Sequence, residues 1–122
     1  MKKPYRPVAS EADLYDAVED LCKLYHLRIA HFRTARTKTG WRTAVAGDGV
    51  GWPDVVVVGP AGVLYRELKT KTGRPTAEQL VWLEALQRAG QDAVIWRPED
   101  LRSGRIQREL WQITGRTNGG PQ

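Results

Sequence analysis

The chain has 122 residues, enough for one domain with a single core and too few for two. Hydrophobic residues at 41% and charged residues at 27% fit an ordinary globular protein, and no apolar run approaches the roughly 18 residues of a membrane span. One cysteine, Cys22, excludes an internal disulfide, and 19 Lys+Arg against 14 Asp+Glu leave a net charge of +5. A reducing cytoplasm is the expected compartment. The basic N-terminus, Met1 to Pro7, leads into no signal-peptide core.

Charge is segregated along the chain. Glu11, Asp13, Asp16, Glu19 and Asp20 crowd residues 11–20 without a base, whereas Arg33, Arg36, Lys38 and Arg42 occupy residues 33–42 without an acid. Arg66, Lys69, Lys71 and Arg74 follow. Such segregation suits one face for phosphates, with solvated surface loops as the plainer reading.

Ser10 is a helix N-cap, and Leu14, Val18, Leu21, Cys22 and Tyr25 recur at helical spacing, predicting a helix over 11–25. Glu11 shares that apolar stripe, so it is the acid of this helix expected to look inward. Arg28 to Arg33 reads as a first strand, with His31 on it as a structural or substrate-facing histidine. Residues 34–51 read as a long Gly/Thr/Arg loop, of a length that is uncommon unless functional. Trp41 in it and Trp52 directly after it either stack on splayed bases or pack the loop down.

Asp54 to Val58 predicts a second strand, central because four valines in a row imply burial on both faces. Gly59-Pro60-Ala61-Gly62 turns it into a third, Val63 to Lys69. Thr76 caps a helix with Gln79 at the capping-box position, Leu80, Leu83, Leu86 and Ala89 on its buried stripe and Gly90 at its end. A fourth strand, Asp92 to Trp96, and a last helical stretch from Pro98, weakened at Ser103-Gly104, complete an order α-β-β-β-α-β-α. That order implies an α/β fold with a mixed four-stranded sheet flanked by helices. The expected division is an arm over 1–9, a domain over 10–114 and a disordered tail over 115–122.

The chemistry lies in the hairpin. Strand alternation puts Glu67 and Lys69 on one face, and the turn brings Asp54 beside them. Two carboxylates are what Mg²⁺ uses when phosphate oxygens and water fill its other positions. A neighbouring ammonium stabilises charge developing on a phosphodiester under attack. The plainer alternatives are a surface ion pair for Glu67 and Lys69 and a turn residue for Asp54. Asp48, in Gly47-Asp48-Gly49-Val50-Gly51, is a turn residue or a spare metal ligand. Those glycines precede a strand, so they are not a dinucleotide loop. Cys22, His26 and His31 lack zinc-site spacing.

Gly51-Trp52-Pro53-Asp54, then Glu67-Leu68-Lys69, then Thr76-Ala77-Glu78-Gln79 resemble the VRR-NUC domain, a family of the PD-(D/E)XK, restriction-endonuclease-like superfamily. The resemblance spans about residues 10–101 and departs at none of the main motif positions. It implies that Asp54 and Glu67 are metal ligands for Mg²⁺ or Mn²⁺, joined by the Leu68 backbone carbonyl, and that Lys69 is the catalytic lysine. It also implies that Glu11 supplies the first helix's acid, a further possible metal ligand, and Gln79 the glutamine opening the later helix. Family members are structure-specific DNA nucleases, and small stand-alone ones from phages and bacteria resemble Holliday-junction resolvases and work as dimers. The expectation is therefore an endonuclease for branched or flapped DNA, with Arg33, Arg36, Lys38, Arg42, Lys71 and Arg74 as DNA contacts, acting as a homodimer without a membrane. The alternatives are a DNA-binding module that has the fold without cleavage and, more weakly, a restriction-type enzyme.

Overall fold

The computed structural model describes residues 7–32, 34–37, 40–43 and 47–117. Helix α1 spans Glu11–Tyr25 and starts at a reciprocal capping box between Ser10 and Asp13. It ends where His26 adopts the left-handed conformation (φ 60°). Strand β1 (Arg28–His31) follows, then a two-stranded ribbon of β2 (Thr34–Thr37) and β3 (Gly40–Thr43). The expected structureless loop over 34–51 is therefore partly a hairpin. Its Thr/Arg/Gly sequence lacks the apolar alternation that announces a strand, so backbone pairing alone reveals it.

Strands β4 (Val55–Gly59) and β5 (Gly62–Leu68) form the predicted antiparallel hairpin. Helix α2 (Ala77–Arg88) returns the chain to β6 (Asp92–Trp96), which lies parallel to β5. The mixed four-stranded sheet has the order β1-β4-β5-β6, so β4 is central as predicted, but its faces differ: Val55 and Val57 are buried in the core, whereas Val58 is 43% exposed, against the expected burial on both faces. The last helical stretch is two helices, α3 (Pro98–Arg102) and α4 (Arg105–Ile113), separated at Gly104 with φ 82°. Among the described residues no helix is long and apolar enough to cross a membrane.

The core fills one face of the sheet. Leu14, Val18 and Cys22 of α1 and Ile106 and Leu110 of α4 meet Val55, Val57, Leu64, Leu68 and Trp96. Burial pushes the Cys22 thiol up to about 12, which leaves it an inert core residue. Tyr65, one residue from Leu64, takes the opposite face, where its ring meets Trp52 and Trp52 meets Trp82 of α2. Helix α2 packs there, with Leu83 as its buried residue and Gln87 Nε2 donating to the Ala93 carbonyl at 2.6 Å. The stripe predicted for this helix is rotated: Leu80 is half exposed and Ala89 lies in solvent, because α2 covers only the β6 side of the sheet. At the far end Arg116 donates to the Tyr25 carbonyl at 3.4 Å, so residues 115–117 of the expected disordered tail carry a contact to α1. Residues 118–122 and 1–6 lie outside the described residues.

Candidate active site

The site forms where β4 has ended and β5 continues. Val55 pairs with Arg66, so Asp54 stands across from Glu67. Every polar atom on the Asp54 backbone is engaged. Its N–H donates to Glu67 Oε1 at 3.2 Å, and its carbonyl accepts from the Phe32 N–H at 2.7 Å. The side chain accepts through Oδ2 from the Leu68 N–H at 2.9 Å. Asp54 is thus tied to β1 on one side and β5 on the other.

The approach to Asp54 is equally constrained. Gly51 has φ 88°, and a Cβ there would lie 2.5 Å from the Glu78 carbonyl carbon and 2.7 Å from the Gln79 nitrogen. Only glycine lets this segment rest on the first turn of α2. Trp52 then packs edge-on against Trp82 (4.9 Å between centroids), Tyr65 and Phe32 (6.0 Å each). Of its two expected roles, packing the loop is the one it performs here. Trp41 lies on β3, where only the backbone is described.

Glu67 is 1% exposed and Lys69 9%. They share a face, as alternation requires, with Lys69 Nζ 3.5 Å from Glu67 Oε2. That oxygen is buried and has no hydrogen-bond partner. Burial first, and then the Asp54 carboxylate beside it, push Glu67 up to about 8, with Lys69 opposing. The site is short of positive charge for the two carboxylates it holds. The Lys69 N–H donates to the Trp96 carbonyl at 3.0 Å, and the Leu68–Lys69 peptide bond is trans. The Leu68 carbonyl, trans to that N–H across the same peptide plane, therefore faces away from β6, to the side where Asp54 lies.

The remaining predicted residues are distributed differently. Glu11 occupies the first position of α1 and is exposed, which corrects the inward orientation expected of it. The helical stripe identifies a side of the helix, but at the first turn that side is exposed, whereas Leu14 one turn later is fully buried. Among the described residues no group of three or more His, Cys, Asp and Glu gathers to hold a metal, so Glu11 does not join Asp54 and Glu67. Gln79 closes the capping box of α2: the Thr76 N–H donates to its Oε1 at 2.8 Å, and its own N–H donates to Thr76 Oγ1 at 3.2 Å.

Of the expected DNA contacts, Lys71 and Arg74 are exposed on the loop after β5. Arg36 and Arg42 lie on the β2–β3 ribbon, in register with Trp41 and Ala35, while Arg33 and Lys38 fall outside the described residues. Arg66, counted in sequence with the basic face, is fully buried and belongs to the core side. His31 stacks on Tyr15 at 3.7 Å, the structural one of the two roles open to it. Sequence reasoning missed that Trp82 is half-buried and donates from Nε1 to the Asp48 carbonyl at 2.8 Å. Its position one residue before the buried Leu83, on a helix edge, was the available signal.

No family model matches the chain, and neither does any curated protein or solved structure.

Proposed function

We propose that the protein is a metal-dependent phosphodiesterase acting on DNA. The observation that carries this reading is the convergence of Asp54, Glu67 and Lys69 at the end of β5, with a buried Glu67 oxygen left without a hydrogen bond. Within that class, the motif order and the α/β topology favour the restriction-endonuclease-like fold and a small VRR-NUC-type endonuclease cutting branched or flapped DNA, Holliday junctions among them.

The donor set fits a hard divalent cation, Mg²⁺ or Mn²⁺, which takes oxygen ligands. Asp54, Glu67 and the Leu68 carbonyl would hold it. Such an ion supplies charge neutralisation at the scissile phosphate and a more acidic bound water. The protein's own contribution is positional and electrostatic. Hydrogen bonds from the Leu68 N–H to its carboxylate and from the Phe32 N–H to its backbone carbonyl hold Asp54 in place before substrate arrives. The Lys69 ammonium, restrained by Glu67, faces the same side and stabilises negative charge accumulating on the phosphate and attacking oxygen. Lys71 and Arg74, exposed just beyond, hold the flanking backbone. A homodimer would supply the two symmetric cuts that resolving a four-way junction requires.

Labelled four-way junction, flap and linear duplex, each with Mg²⁺, Mn²⁺ or chelator, test the reading. Metal-dependent cutting of the branched substrates is expected; no cutting of any substrate at any metal concentration overturns it. Sedimentation should report a dimer, and a strict monomer that resolves junctions refutes that part. A second reading, a DNA-binding module without cleavage, draws on the two-carboxylate site, which no third acid joins among the described residues. Salt-dependent DNA binding with no calorimetric Mg²⁺ binding would favour it.

A further inference from the structure

Beside the site, and used by none of its three residues, runs a groove of about 660 Å³ between residues 47–50 and α2. Ala77, Val81 and Ala85 form one wall at one-turn spacing, about 12 Å of helix. Val50 faces them, and Val50 and Val81 are 67% and 66% exposed. Trp82 completes the lining, with its ring held by the Asp48 carbonyl and by Trp52 at 4.9 Å. The groove is therefore preformed around a fixed aromatic.

Its position ties it to the candidate site. Gly51, next to Val50, presses on the Glu78–Gln79 peptide, and Asp54 follows three residues later. The exposed Lys71 and Arg74 precede the N-terminal turn of α2, at which the groove begins. Two acids, Asp48 and Glu78, also line it. They repel a phosphate but accept hydrogen bonds from the exocyclic amino group of a base. Apolar walls and acceptors inside, with cations ahead of the helix, match a single nucleotide whose base enters and whose phosphate stays at the basic end. The volume falls within the roughly 300–1,000 Å³ of small-molecule sites and is far too small for a duplex.

We propose that this groove receives an unpaired base of the DNA strand, and so selects substrates with unpaired nucleotides near the scissile phosphate. The inference rests on the DNA-cleaving reading, but its primary test is binding in the absence of metal. A flapped duplex carrying 2-aminopurine at successive unpaired positions is titrated with the wild-type protein, with Ala85→Trp and with Val81→Glu. Both substitutions replace exposed side chains, and the second serves where the first fails to fold.

The expected result is a change in 2-aminopurine emission at one or two unpaired positions with the wild type. Either variant should lose that change and bind the flapped DNA about tenfold more weakly, the scale of one stacked base, with fully paired duplex bound as before. Unchanged emission at every position overturns the inference, as does a variant that binds flapped DNA like wild type or weakens both DNAs equally. A protein that loses flap binding through Ala85→Trp but cuts nothing with Mg²⁺ keeps base capture and sinks the nuclease. One that cuts with no emission change does the reverse.

Discussion

Arg66 and Glu67 are neighbours on β5, both almost fully buried, and they have opposite fates. Arg66 points to the α1/α4 side. It meets Asp92 Oδ1 and Glu109 Oε1 at 2.9 Å each, and it donates to the Asp92 and Tyr65 carbonyls at 2.7 and 2.9 Å. Its guanidinium lies 4.9 Å from the Trp96 ring, whose Nε1 also donates to Glu109, and only Nε lacks a partner. Glu109 is held below the usual carboxylate range by hydrogen bonds from Trp96, Arg105 and Arg66, against the opposing pull of its burial. Glu67 points the other way, with one oxygen unanswered by a hydrogen bond and a second carboxylate beside it. A buried charge met by opposite charges holds elements together. A buried carboxyl whose ionised form lacks them is a place for a cation to enter in exchange for its proton, and the contrast separates scaffold from site within two consecutive residues.

The largest expected effect tests the site half of that contrast. Asp54→Ala and Lys69→Ala should each lower cleavage by about 10²–10³-fold or more while thermal unfolding stays near wild type. Wild-type rates in either variant would remove its assigned role.

Arg66→Met tests the scaffold half. It removes one of the three partners of Glu109 and leaves the half-exposed Asp92 to solvent, and should cost about 1–3 kcal/mol in urea unfolding, with cleavage per folded molecule close to wild type. A stable Arg66→Met protein with abolished cleavage would invert the comparison.

Next in size is a pH effect. Glu67 has a folded pKa of about 8 against an ordinary 4.5, so between those values the folded chain binds more protons than the unfolded one. Metal-free stability should therefore be greatest at the acid end of this window and fall as pH rises through about 8. Glu67→Gln should flatten that slope and raise stability at the alkaline end, measured by urea unfolding at both ends. A steeper slope in the variant contradicts the sign. In the same window Mg²⁺ must displace the Glu67 proton, so calorimetry in two buffers of different ionisation enthalpy should show proton release, approaching about one per site.

The smallest change is expected of Glu11→Gln. An exposed first-turn side chain outside the carboxylate pair should leave cleavage within about twofold. A loss as large as that of Asp54→Ala would mean that Glu11 turns inward when DNA or metal binds.

Local signals carried a large share of the fold. Ser10 and Thr76 with their reciprocal partners set the starts of α1 and α2, and the boundaries of α1 and β6 follow the apolar periodicity. The turn at residues 59–62 and strand alternation suffice to bring Asp54, Glu67 and Lys69 together, because hairpin pairing and a two-residue period are consequences of nearby backbone hydrogen bonds. What periodicity could not supply depends on partners far along the chain. Arg66 looked like a member of the basic face until Asp92 and Glu109, 26 and 43 residues away, closed on it. Glu11 looked inward because a stripe names a side of a helix without saying what lies opposite. Trp52 had two roles open until Phe32, Tyr65 and Trp82 converged on it. Desolvation and charge pairing are properties of the assembled packing, so the polar character of this site, and the groove beside it, emerge only once distant segments meet.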